Sequence, residues 1–70
     1  MDATEEKIMS ILAESPKTTP QIAAAIGRNL QYAYAKCMSL MRYGFIIRRV
    51  VPGFFVHSRA GHVALWSKVE

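Results

Sequence analysis

Thr19 to Gly44 reads TPQIAAAIGRNLQYAYAKCMSLMRYG, and the fold turns on whether this is one long helix or two. The answer lies at Gly27-Arg28-Asn29. A glycine readily takes the left-handed conformation that ends a helix. Asparagine two residues later is a good N-cap for a new one. The stretch therefore reads as two helices joined by a tight turn at Gly27-Arg28. Thr19 can cap the first of them, with Pro20 at the first helical position, where its missing N–H costs nothing. Ile22, Ala23 and Ile26 form one apolar stripe on this helix of about 20–27, and its alanines allow another helix to approach closely.

The following helix spans about 30–43 and stops at Gly44. At about 100° per residue, Cys37, Leu40 and Gly44 fall within about 40° of Ala33. That is the core stripe, with Leu30, Tyr34 and Met41 on its shoulder. Opposite lie Gln31, Ala35, Met38, Ser39 and Arg42, flanked by Tyr32, a face with nothing obvious to pack against.

Upstream, Asp2 and Glu5 have the spacing of a capping box. Ile8, Ile11 and Leu12 recur at helical spacing. Pro16 ends this first helix, about 3–15, because the residue before a proline is pushed out of the α region. Downstream the period changes. FIIRRVV, about 45–51, has the β-branched and aromatic composition of a strand. Pro52-Gly53 signals a turn. HVALWSK, about 62–68, reads as the returning strand, with residues 52–61 as the tip of a hairpin. Trp66 is expected to pack under that hairpin. Phe54 and Phe55 near the tip are open between core, a minor-groove wedge and a dimer contact.

Seventy residues suit one small domain, and a chain this short buries only about 60% of its unfolded surface. With 51% apolar residues, a homodimer or other partner is one way to cover the remainder. No apolar run reaches the roughly 20 residues needed to span a bilayer. The acidic start, Met1 to Glu6, does not fit a secretory signal. The single cysteine, Cys37, can form no internal disulfide. Together these point to the cytoplasm, without a membrane partner.

Charge is unevenly spread. The formal net charge is +4, but residues 1–27 hold two bases against four acids, while residues 28–70 hold seven bases against Glu70 alone. A basic half of this kind suits a polyanion. Two short helices joined at a glycine make a helix-turn-helix, in which the second helix enters the major groove; a following hairpin is a wing.

The residues TTPQIAAAIG…LMRYGFI resemble the winged helix-turn-helix transcription regulators of bacteria and archaea. TTPQIAAAIG is similar to that family's T-x-x-[IL]-A-x-x-[IL]-G second helix, LMRYGFI to its L-x-x-x-G-[LF]-[IV] at the end of the recognition helix, and ALWS to its aromatic return strand. The likeness spans roughly Thr4 to Lys68. It implies an α+β fold of three helices followed by a β-hairpin wing. It also implies sequence-dependent binding of double-stranded DNA by a small, nucleoid-associated transcriptional regulator. Many members begin the recognition helix with Ser-Arg-Ser/Thr, where this chain has Asn29-Leu30-Gln31-Tyr32. Where a mid-helix base is common, it has Ala35. Winged helices also serve as protein-interaction modules. That alternative would use Met38, Tyr32 and the Phe54-Phe55 tip.

On the DNA reading, the candidate contacts are Arg28, Asn29, Gln31, Tyr32, Ala35, Lys36, Met38, Ser39, Arg42 and Arg59. Arg28, Lys36, Arg42 and the wing residue Arg59 suit phosphates, which fix register without reading sequence. Asn29 and Gln31 can hydrogen-bond adenine edges, although Asn29 also suits a cap and Gln31 plain solvent. Tyr32 can donate to a phosphate, and Met38 can touch a thymine methyl or a protein. Arg48 and Arg49, adjacent in a strand, point to opposite faces, so at most one faces DNA. A metal site needs about four ligands. Cys37, His57 and His62 offer three, and Cys37 sits on a core stripe. No metal, cofactor or small-molecule ligand is expected, and no grouping of catalytic residues stands out.

Overall fold

The structure is a computed structural model, which describes residues 1–52 and 62–69. Helix α1 spans Ala3–Glu14. Its start is fixed by the expected capping box. Asp2 Oδ1 accepts the Glu5 N–H at 2.8 Å, and Glu5 Oε1 accepts the Asp2 N–H at 3.0 Å. The helix closes at an extended Ser15, just ahead of Pro16.

Helix α2, Thr19–Ile26, starts one residue earlier than its sequence suggests. The cap is Thr18, not Thr19. Thr18 Oγ1 accepts the Gln21 N–H, and Gln21 Oε1 accepts the Thr18 N–H at 2.9 Å. Pro20 is accordingly the second helical residue, still within the first turn where no intrahelical N–H bond is lost. Gly27, at φ 68°, ends the helix, and the Arg28 N–H reaches back to the Ala23 carbonyl at 3.1 Å. Helix α3 follows at Leu30–Arg42, capped by Asn29. It ends in the same way, with Gly44 at φ 84° and the Phe45 N–H on the Leu40 carbonyl at 3.0 Å.

The described residues also form three strands, β1 (Lys17–Thr18), β2 (Ile46–Pro52) and β3 (His62–Lys68), in the antiparallel order β1-β3-β2. The sequence does not announce β1; its two residues become a strand only by pairing with Trp66 and Leu65. Arg48 faces Trp66 across the β2–β3 ladder, which runs from Ile46↔Lys68 to Pro52↔His62. Pro52, which cannot donate to a ladder, sits on the outer strand where that is tolerated.

The core joins all these elements. Ile8 and Leu12 of α1, Ile22 and Ala23 of α2, and Ala33, Cys37 and Leu40 of α3 meet Ile46 and Trp66 of the sheet. Trp66 is thus at the centre of the core rather than merely under the hairpin. It is fully buried, and its Nε1–H donates to Thr19 Oγ1 at 2.9 Å. Three helices against a small antiparallel sheet with the β2–β3 hairpin at its edge are the α+β, winged-helix arrangement that the sequence implied. The tip of that hairpin, with Phe54, Phe55, His57 and Arg59, lies outside the described residues.

Candidate functional site

Helix α3 buries Ala33, Cys37 and Leu40 and turns the opposite ridge outward. Gln31, Ala35 and Arg42 are exposed on that ridge, within about 20° of Arg42 on the helical wheel. No other element of the described structure covers them. Asn29 stands at the head of the ridge, but its Oδ1 is engaged as the cap, accepting the Tyr32 N–H at 2.7 Å.

The two flanks of the ridge are built around tyrosines. On one, the Arg28 guanidinium lies over the Tyr32 ring, 3.9 Å from its centroid. Lys36 Nζ is 5.7 Å from the same centroid, but its closest partner is Asp2 Oδ2, which ties α3 to the cap of α1. The hydrogen bond with Asp2 raises the Lys36 pKa above its ordinary value. That bond, helped by the Glu5 N–H, lowers the Asp2 pKa. Lys36 is therefore an ion-paired residue, whereas Arg42 on the ridge has no ion pair among the described residues.

On the other flank, the Tyr34 ring packs edge-on against Trp66, with centroids 5.8 Å apart and planes at 69°. Its hydroxyl accepts a hydrogen bond from Arg48 Nη1 at 2.6 Å, and Met38 Sδ lies 3.7 Å from the same nitrogen. Met38 therefore lies at the border of the outward face, beside Arg48. Its flexible thioether is half-buried against the core with the Arg48 guanidinium beside it. Ser39 is half-buried too, in a groove of about 410 Å³ with Met1, Glu5, Lys36, Leu40, Tyr43 and Phe45.

The structure thus exposes Gln31, Ala35 and Arg42 on one surface, with Arg28 and Asn29 at its head, and half-buries Tyr32, Lys36, Met38 and Ser39 along its flanks; Arg59 lies outside the described residues. It also adds Arg48. The sequence offered one signal for this residue, the alternation of β2, and the cross-strand pairing with buried Trp66 resolves it: Arg48 shares the helix-facing side, Arg49 the other. Among the described residues no three His, Cys, Asp or Glu side chains converge to hold a metal, and no helix is long and apolar enough to cross a membrane.

No family model matches the chain, and no curated protein matches it significantly. Solved structures do. The crystal structure of Lactococcus lactis ZitR, described as a zinc-responsive MarR family member, aligns over 100% of this chain and 44% of its own, with a TM-score of 0.81 and 23% identity. A ZitR mutant in complex with DNA aligns over the same shares at 23% identity and a TM-score of 0.78. At that identity the likeness establishes the fold. The chain spans less than half the length of these neighbours.

Proposed function

We propose that the chain binds double-stranded DNA as the winged-helix module of a transcriptional regulator, with α3 in the major groove and the β2–β3 wing against the backbone or the adjacent minor groove. The observation that carries this reading is the outward ridge of α3. It has no core to meet, and it is bordered by Arg28 and Arg48 and carries Arg42. A helix face bordered by cations fits a groove walled by phosphates. The DNA-bound state of ZitR, which shares the fold, supports it. On this reading Arg28, Tyr32 and Arg42 meet phosphates, Gln31 reads base edges, and Asn29 orders the helix. Lys36, Met38 and Ser39 are candidate contacts at the flanks of α3, and Arg59, outside the described residues, is a further phosphate candidate. Such a protein works without catalysis, in the cytoplasm on the nucleoid.

The exposed Tyr43, Phe45, Ile47 and Val50 favour a second reading, docking to a protein or to a second copy of the chain. Titration of a random duplex of about 30 base pairs at two salt concentrations separates the two. DNA binding is expected to weaken steeply with salt, and Arg42→Ala should reduce the slope of log K against log salt by about one. Absence of binding at low salt would overturn the DNA reading in favour of the protein one.

A further inference from the structure

Tyr32 and Tyr34 lie about 80° to either side of Arg42 around α3. Each holds an arginine that comes from outside the helix: Arg28 from the preceding turn, Arg48 from strand β2. We infer that Arg28 and Arg48 form a tyrosine-held clamp that grips the two phosphate strands walling the major groove, with the ridge of α3 seated between them. The inference rests on the DNA reading above and adds to it the residue opposite Arg28, the strand that supplies it and the means by which both are held.

The geometry leads there in three steps. A helix with its side chains is about 10–12 Å across, and the major groove is about 12 Å wide. A helix inserted ridge-first therefore presents its two flanks to the two backbones. The centre of the ridge is Ala35, which brings no charge; the guanidiniums of Arg28 and Arg48 stand at its two flanking tyrosines. Finally, both arginines are ordered before any ligand arrives. Arg28 stacks at 3.9 Å on Tyr32. Arg48 donates to a phenol that is itself fixed against Trp66, whose indole is anchored on Thr19. An arginine already held in place loses less rotamer freedom on binding, so more of its attraction appears as affinity.

The test compares salt slopes on a random duplex for the wild-type chain, Arg28→Ala, Arg48→Ala, Arg49→Ala and Tyr34→Phe, with thermal melting to confirm that each folds. Arg49 is the charge-matched control on the other face of the sheet. Arg28→Ala and Arg48→Ala should each reduce the slope by about 0.9, the loss of one phosphate contact, whereas Arg49→Ala keeps the wild-type slope. Tyr34→Phe retains the ring on Trp66 and every charge. It should keep the slope but bind roughly three- to tenfold more weakly, the worth of the lost hydrogen bond. An Arg48→Ala slope equal to that of Arg49→Ala overturns the clamp while leaving DNA binding intact. Wild-type affinity in Tyr34→Phe overturns the phenol's role in it. A wild-type chain that fails to bind at low salt overturns the DNA reading itself, and the clamp with it.

Discussion

Trp66 and Cys37 show how single side chains are constrained here. The indole is fully buried, and its N–H is satisfied by the Thr19 hydroxyl. A buried donor left unpaired costs about 1–3 kcal/mol. Residue 19 therefore owes its hydroxyl to the tryptophan, and capping falls to Thr18. Cys37 is equally buried, and burial pushes its thiol from the ordinary 9.0 up to about 12. The folded chain thus holds this proton more tightly than the unfolded chain. The thiol's contribution to stability is complete below the unfolded value and declines as pH rises from about 9 toward about 12. Between about pH 8 and about pH 11 the urea midpoint of the wild-type chain should therefore fall more steeply than that of Cys37→Ala. Every other group is common to both proteins, so the difference isolates the thiol. Parallel profiles would show that burial does not perturb it.

At the scale of elements, Asn29 has two separable roles, heading α3 and standing at the edge of the ridge. Asn29→Ala removes the cap and should destabilise the chain by about 1 kcal/mol. Asn29→Asp keeps the cap and suits the positive end of the helix dipole. Its stability should match or exceed the wild type, while its new charge opposes the phosphates and weakens DNA binding. A drop in stability with Asp would show that the cap is not what fixes residue 29; unchanged DNA affinity would place it away from the backbone. Features of this kind are the ones legible in the sequence. Asp2 with Glu5, Asn29, Gly27 and Gly44 act on partners three to five residues away, so spacing reveals them. Thr18 and Thr19 show the limit of that reading. Two adjacent hydroxyls suit the same cap, and only the distant Trp66 decides which is released for it. The strand character of Lys17–Thr18 and the contact of Met38 with Arg48 are invisible for the same reason, since β3 and β2 create them. The ridge of α3 follows from helical periodicity, but one of its flanking arginines arrives from another element, which no local pattern encodes.

Across the whole molecule the charge is divided, acidic through Gly27 and basic beyond. Such a division could attract DNA diffusely or focus it on α3. The two differ in distance dependence, because exposed charges are screened beyond about 8–10 Å at ordinary salt. Ala35 and Ala13 are both exposed helical alanines. Ala35 is at the centre of the α3 ridge. Ala13 lies at the end of α1 away from the Asp2–Lys36 pair and lines a groove with Ser67 and Lys68. Replacing either with glutamate changes the net charge equally and should alter stability by no more than about 0.5 kcal/mol. If α3 enters the groove, Ala35→Glu should weaken duplex binding by roughly tenfold or more, setting a carboxylate among the phosphates. Ala13→Glu should stay within about twofold of the wild type, its charge being screened at that distance. Equal losses would mean that the charged half attracts DNA without a defined docking face. Wild-type affinity in Ala35→Glu would remove α3 from the interface and leave its ridge to a protein partner.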